Sequence, residues 1–373
     1  VDNKKYYIWL NSLNGFGNQR IKQLLSMFSD IEEIYKLKPN EIDAIPFLTE
    51  KLKLVLKNKN LDYTNSIIEE CHNKNIDIIE YNGEKYPERL SFIYDPPLVL
   101  YKKGLDFDYD AIPSLAVVGT RKASPYGSKI AEDFSRDLSL NGITIISGMA
   151  AGIDTYAHTG AIKAGKSTIA VFGTGVDVVY PQSNLDLYEY IVEYGAVLSE
   201  YPPGTKGIPS NFPQRNRIIS ALSYATLVVE ADLRSGSLIT ADFANDQGKD
   251  VFAIPNNINV ATGRGTNQLI KEYAYMVTCP SDIIEKYLDK FPNELYKTNN
   301  KEKIPDEKYL SNLQKLTPEE IIVVEALNQK PKFIDEIVRK TGLPPGKVNG
   351  ILTILMIKDI VYSVPGNSYA LKF

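Results

Sequence analysis

Arginines recur in short motifs through the middle of this 373-residue chain, most of them set among glycines and small hydroxyl residues. They stand in Gly119-Thr120-Arg121, Phe212-Pro213-Gln214-Arg215-Asn216-Arg217, Arg234-Ser235-Gly236-Ser237 and Thr262-Gly263-Arg264-Gly265. A guanidinium meets phosphate through paired N–H donors, and glycine lets a polyanion approach the backbone amides. An aromatic beside two arginines at the start of a helix, as in Phe212 to Arg217, suits unpaired nucleic acid, whose bases stack while its phosphates pair. Cations at that end also oppose the helix dipole unless an anion neutralises them. The plain structural alternative packs Phe212 in the core and pairs the arginines with Glu200 or Glu230. Ser235 and Ser237 either cap a helix or donate to a phosphate, and these roles are compatible.

Bond-breaking chemistry finds no comparable cluster. His72, His158, Cys71 and Cys279 have no ligand-like spacing, and two cysteines cannot build a disulfide framework. His158 has no serine or cysteine nucleophile near it in sequence, and the carboxylates show no paired spacing. The expectation is no enzyme, no metal and no cofactor. Asp154 reads as a helix cap and Asp177 as a turn residue. Gly160 to Ser167 matches the letters of a Walker A site, which requires a strand before it and a helix after it. Here a helix precedes and a strand, Thr168 to Phe172, follows. Lys166 within that string either points toward a bound anion or is an ordinary loop lysine.

Short Val- and Ile-rich runs must position these groups. Candidate strands at 114–119, 143–147, 168–172, 196–199, 225–229, 250–254 and 275–278 alternate with helix-length segments. That pattern predicts an α/β fold: an extended Rossmann-like parallel sheet buried on both faces. Ligands in such sheets sit beyond the carboxyl ends of the strands. Gly119, Gly148, Gly152, Gly173 and Gly175 fall there, with Arg121 directly after the first strand. Together they predict a phosphate-binding rim.

Residues 1–80 read as an N-terminal helical domain, with Ile21, Leu24, Leu25 and Phe28 at helical spacing and a short strand from Ile76 to Ile79. Leu13 to Arg20 resembles the turn of helix-hairpin-helix (SAM-like) modules, where helix amides meet a DNA phosphate. An ordinary helix–helix turn is the plainer reading, and a second candidate hairpin at Ala44 to Phe47 lacks glycine, which weakens the DNA reading further. Pro96 and Pro97 predict an extended connector through Tyr101. The sheet domain covers 81–290, a polar linker 291–315, and a winged-helix domain 316–373. In that last domain Thr317-Pro318-Glu319-Glu320 opens a helix, Phe333–Thr341 forms a second, and a third runs from Pro344 to about Ile357. Strands at Ile360–Tyr362 and Ser368–Leu371 flank Pro365-Gly366-Asn367 as a hairpin. The helix in the recognition position offers Lys347, Asn349 and Lys358 but no arginine, a thin phosphate-binding face, and a protein contact or a regulatory cover fits about as well.

A formal charge of −4 argues against indiscriminate coating of nucleic acid. Neither a signal peptide nor a bilayer-length apolar run is evident, so a cytoplasmic protein with no membrane partner is expected.

Gly119-Thr120-Arg121, Ser147-Gly148-Met149-Ala150-Ala151-Gly152-Ile153-Asp154, Gly173-Thr174-Gly175-Val176-Asp177, Phe212 to Arg217 and Arg234 to Ser237 together resemble the DNA-processing protein A (DprA/Smf) family. The likeness runs in matching order over most of residues 80 to 280. It implies a cytoplasmic homodimer that binds single-stranded DNA in natural transformation, protects incoming strands and helps load the RecA recombinase. It also implies that the rim is the DNA site, with Arg121 in the family's Gly-Ser/Thr-Arg position. The expected DNA-binding set is then Gly119, Thr120, Arg121, Ser147, Gly148, Gly152, Lys166, Gly173 and Gly175, joined by Lys206, Phe212, Arg215, Asn216, Arg217, Arg234, Ser235, Gly236 and Ser237. Family members often carry a lysine three residues before the aromatic; Pro209 stands here, and Lys206 is the substitute from the same loop. Two other readings compete. Related Rossmann-like hydrolases cleave nucleoside monophosphates with a Pro-Gly-Gly-x-Gly-Thr loop, whose diglycine Arg234-Ser235-Gly236-Ser237 lacks. A winged-helix regulator would prefer a particular duplex sequence.

Overall fold

Val- and Ile-rich runs of the first part of the chain form one nine-stranded sheet, in the order β1-β2-β6-β5-β4-β3-β7-β8-β9. Its strands are β1 Asp77–Glu80, β2 Val99–Gly104, β3 Ser114–Val118, β4 Thr144–Ser147, β5 Thr168–Phe172, β6 Ala196–Ser199, β7 Ala225–Val228, β8 Asp250–Ala253 and β9 Tyr275–Met276. This computed structural model describes residues 3–288, 290–292, 295, 317–327, 332–357, 361–364 and 368–371. The chain divides into two compact units, Val1–Lys303 and Ile304–Phe373.

From β3 to β9 every pairing is parallel. The chain steps outward from β3 to β6, then returns to lay β7 on the other side of β3. The carboxyl ends of β3 and β7 therefore flank a topological switch point, where open α/β sheets leave a crevice. Helices α8 (Pro125–Leu140) and α9 (Ile153–Lys163) cover one face. Leu115 and Val117 of β3 pack there with Ala131, Phe134, Ile153 and Ala157. Helices α11 (Asn211–Leu222) and α12 (Gly236–Asp246) cover the other. With both faces covered, β3, β5, β6 and β7 are buried along their whole length, which is why they read as continuous apolar runs.

The segment expected as an extended connector is instead a sheet member. Val99–Gly104 pairs antiparallel with β6, Tyr101 opposite Ser199, and with β1, Ile79 opposite Leu100. Pro96 and Pro97 extend the backbone before the strand begins, so they set its entry rather than exclude it. Among the described residues six helices precede the sheet: α1 Lys4–Ser12, α2 Asn18–Leu25, α3 Ile31–Lys36, α4 Pro39–Asp43, α5 Glu50–Lys57 and α6 Asp62–Asn73; α7 Glu88–Ser91 lies between β1 and β2, and α10 Leu185–Tyr194 between β5 and β6. Helix α1 packs on β1 and β2, so these helices and the sheet share one unit. Leu13 to Gly17 is the turn from α1 to α2, and residues 44–49 join α4 to α5.

In the second unit, helices Pro318–Ala326, Ile334–Thr341 and Pro345–Ile357 accompany β10 Lys332–Phe333, β11 Val361–Val364 and β12 Ser368–Leu371. The strands form an antiparallel sheet in the order β10-β12-β11. Thr317 and Glu320 cap the first helix reciprocally: Thr317 Oγ1 accepts the Glu320 amide at 3.3 Å and the Glu320 carboxylate accepts the Thr317 amide at 2.6 Å. Val323, Leu327, Ile337, Val348, Leu352 and Val361 form its core. Lys347 pairs with Glu319, which thins further a phosphate-binding face already read as thin from the sequence. Lys358, the 365–367 turn and nearly all of the linker lie outside the described residues.

Candidate nucleic-acid interface

Three loops meet at the switch point because their backbones are bonded to one another. The Thr120 amide donates to the Glu230 carbonyl at 2.7 Å, and the Ile153 amide donates to the Thr120 carbonyl at 3.2 Å. Gly152 turns the chain with φ of 82°, and a side chain there would run into the Thr120 and Arg121 backbone. Glu230, offered above as an arginine partner, is instead a fully buried carboxylate holding these loops. It accepts from the Ser124 amide at 2.9 Å and hydroxyl at 2.6 Å, and from Thr262 Oγ1 at 3.1 Å.

Helix α11 is secured at both ends. Asn211 Nδ2 donates to the Gly173 carbonyl at 3.2 Å near its start. At its end Lys249 Nζ donates to the carbonyls of Ser220, Ala221 and Ser223 at 2.6 to 2.7 Å, and Arg89 to that of Leu222 at 2.8 Å. These side-chain donors satisfy carbonyls that a helix end leaves unpaired. Phe212, Arg215, Asn216 and Ile219 then fall at i, i+3, i+4 and i+7, one stripe of α11, and all four line a cleft of about 180 Å³.

The mouth of the cleft carries an exposed cation on an aromatic pair. The Arg121 guanidinium lies 5.1 Å from the Phe212 ring centroid, and that ring packs on Tyr180 at 5.2 Å. Beside them opens α12, where Ser235 Oγ accepts the Ser237 amide at 3.4 Å and the two hydroxyls lie 2.8 Å apart. Gly236 is exposed at this helix N-terminus, and Asn216 Nδ2 donates to its carbonyl at 3.2 Å. Amides and hydroxyls at a helix start suit an anion.

The floor holds two buried ionisable groups, Arg215 and Asp154. Arg215 is 3% exposed; it donates to the Gly148 carbonyl at 2.7 Å, to the Val171 carbonyl and to Asn216 Oδ1. Asp154 also lines the cleft, and its carboxylate accepts the Ala150 amide at 3.3 Å. Burial pushes Asp154 up to about 6, against the pull of Arg215 and two backbone amides. Burial likewise lowers Arg215 to about 10, against the pull of Asp154. Arg215 therefore keeps its charge at neutral pH but spends it inside the protein.

The other expected site residues separate by role. Gly119, Arg121, Phe212, Arg215, Asn216, Ser235, Gly236 and Ser237 line the cleft. Thr120, Ser147, Gly148, Gly152 and Gly173 stand behind it as supports; Ser147 Oγ donates to the Val117 carbonyl at 2.6 Å. Gly175 is outside the lining, its amide donating to the Thr205 carbonyl at 2.9 Å. Lys206 and Arg234 are exposed on neighbouring loops.

Two expectations need correction. Arg217 was expected on the DNA, yet it points away from the cleft and is 3% exposed. Both its terminal nitrogens donate to Glu200 at 2.7 Å, and its Nε lies 3.2 Å from an Asp95 carboxylate oxygen. Five residues after Phe212, it emerges from a different side of α11. Lys166 precedes β5, whereas the cleft lies beyond strand carboxyl ends; five residues at about 3.3 Å each separate it by roughly 17 Å. The string Gly160 to Ser167 is the end of α9 running into β5, the reverse of a P-loop.

Asp154 was read as a cap and Tyr180 was not singled out. A carboxylate at the start of the otherwise largely apolar α9, and an aromatic following the Gly173-Thr174-Gly175 loop, were the available signals. His158 is buried below, its Nδ1 2.8 Å from Thr168 Oγ1, and burial pushes it down to about 3, so it stays neutral. Among the described residues no group of His, Cys, Asp and Glu could hold a metal ion.

Comparison with known proteins follows the same outline. Residues 77–288 match the family described as DNA recombination-mediator protein A, and residues 310–367 match the DprA winged helix domain. Protein Smf of Synechocystis sp. is 34% identical over 392 residues, covering 98% of either chain. DNA processing protein DprA of Streptococcus pneumoniae is 46% identical over 202 residues, 54% of this chain and 71% of that one. The X-ray structure of the Streptococcus pneumoniae protein superposes with a TM-score of 0.67 at 36% identity, covering 76% of this chain and 97% of that one. DNA processing protein A of Helicobacter pylori, whose structure is described for its single-stranded DNA binding mode, superposes with a TM-score of 0.53 at 31% identity, over 58% of this chain and 96% of that one. On these matches, and on a parallel sheet with the glycine loops and arginine helix gathered at its switch point, the chain belongs to the DNA recombination-mediator protein A (DprA/Smf) family.

Proposed function

We propose that this protein binds unpaired DNA in the switch-point cleft and acts as a recombination mediator in natural transformation. The observation that carries the reading is the exposed Arg121 guanidinium over the Phe212 ring, itself packed on Tyr180, beside the exposed Gly236 at the start of α12. Phosphates would meet Arg121 and the exposed Gly236 amide, with the Ser235 hydroxyl beside it, while a base stacks at the aromatic pair. Protection of incoming strands, loading of RecA, a homodimer and a cytoplasmic location complete the proposal. The family assignment and the printed description of the Helicobacter pylori relative support it.

The reading is non-enzymatic. A nucleoside monophosphate hydrolase needs a free carboxylate near the sugar. Glu230 is fully engaged by Ser124, Asn256 and Thr262, and Asp154 faces Arg215. A mobility-shift comparison of single-stranded and duplex DNA tests the proposal. Retardation of the single strand at much lower protein concentration is expected; equal or reversed preference refutes it. Release of free base from nucleoside monophosphates would establish the hydrolase instead.

A further inference from the structure

A short loop between α11 and α2 holds two of the most solvent-exposed aromatic side chains among the described residues. Phe92 is 76% exposed and Tyr94 is 82% exposed, while Ile93 between them is buried. The buried isoleucine pins the loop and the alternation turns both rings outward. Both ends of the loop are tied down. Ser91 accepts from Lys22 Nζ of α2 at 3.4 Å, and Asp95 accepts from Gln214 Nε2 of α11 at 2.9 Å. Gln214 directly follows Pro213, which lines the cleft. On the far side, Arg20 and Lys22 border a shallow groove along α2. The one carboxylate within the loop, Asp95, is engaged by Arg217 and Gln214.

We propose that Phe92 and Tyr94 form a stacking step that carries an unpaired strand from the cleft to the basic groove of α2. Large apolar rings held in water by an anchored loop lose contact with solvent when a base stacks on them, and every base offers such a face whatever its sequence. Cations beyond the rings supply partners for the following phosphates. The occupant is the strand of the cleft because the loop is bonded at one end to Gln214, one residue from the cleft lining, and at the other to Lys22 of the groove. This inference rests on the cleft reading above and extends its footprint.

The test uses the full chain and fluorescence anisotropy with two oligothymidylates, one of about 6 nucleotides and one of about 20, bracketing the footprint of a single stacking groove. Phe92→Ala with Tyr94→Ala should leave the short oligonucleotide's affinity within about twofold and weaken the long one by roughly 10- to 100-fold. Phe92→Tyr with Tyr94→Trp, which keeps both rings, should retain long-oligonucleotide binding. Arg121→Ala should weaken both lengths. If Arg121→Ala leaves short-oligonucleotide binding intact, the cleft reading itself fails. If Arg121→Ala weakens it while the double alanine variant binds the long oligonucleotide normally, only the stacking step is overturned. A double alanine variant that changes sedimentation but not DNA affinity marks the rings as a protein interface, which also overturns the proposal. Both side chains are largely in solvent, so the melting temperature is expected to stay unchanged, and it confirms that the variants fold.

Discussion

Arg215 and Asp154 both border the place a side chain on Gly148 would occupy. A Cβ there would lie 2.6 Å from the arginine Nη2 and 2.7 Å from the aspartate Oδ2. Gly148→Ala must therefore displace two buried ionisable side chains, one of them an arginine fixed by two carbonyls. Overpacking of this kind costs about 1–3 kcal/mol. Urea denaturation should show the loss as a lower midpoint; an unchanged midpoint contradicts the arrangement of the floor.

The same pair predicts a pH dependence. Asp154 holds its proton up to about 6 in the folded chain, against an ordinary value of 3.8. Between those values the folded state binds more protons than the unfolded, so its contribution to stability falls as pH rises from about 4 to about 6. Ionised Asp154 also opposes an incoming phosphate. DNA affinity should therefore rise by about 1 kcal/mol, roughly fivefold, from pH 7.5 to 5.5. Asp154→Asn should bind as tightly at the higher pH as at the lower. A variant that keeps the wild-type slope would assign the pH effect elsewhere.

Arg121 and Arg217 should separate by assay. Arg217 is buried against Glu200 and Asp95, and removing one partner of such a pair costs about 3–5 kcal/mol. Arg121 is exposed, so Arg121→Ala should change stability by no more than about 0.5 kcal/mol. Thermal melting of the two alanine variants checks the contrast. Equal destabilisation would mean that Arg121 is a structural residue and not a free cation at the mouth.

Lys249 should matter to binding without touching the ligand. Lys249→Met strips the donor from three carbonyls at the end of α11, at a cost of about 1–3 kcal/mol. The helix that carries Phe212 and Asn216 then loses its anchor, and DNA affinity should fall together with the melting temperature. Destabilisation with intact affinity would show that α11 is held adequately from its other end.

Local pattern and tertiary pairing explain what was legible beforehand. The buried parallel strands announced themselves as apolar runs, and the glycines after β3, β4 and β5 placed the cleft at their carboxyl ends. Strand β2 was hidden because Pro96 and Pro97 read as connector, while its partners β1 and β6 are distant in sequence. The direction of Arg217 depended on Asp95, 122 residues away, and on Glu200, 17 residues away, beyond the reach of any local pattern. Helical spacing alone separates the stripe Phe212, Arg215, Asn216 and Ile219 from Arg217. Lys166 was drawn in by a string of letters, although its position before a strand already assigned it to the other edge of the sheet. Arg215 is the subtler case: it lines the cleft as expected, yet its hydrogen bonds run into the protein.

The central claim is that Arg121 grips the phosphates of an unpaired strand at the cleft mouth. Titrating labelled single-stranded DNA against wild type and Arg121→Ala over a series of salt concentrations tests it most directly. The account predicts weaker binding for the variant on every sequence, and a slope of log K against log salt shallower by about 1. Superimposable titrations with equal slopes would contradict it.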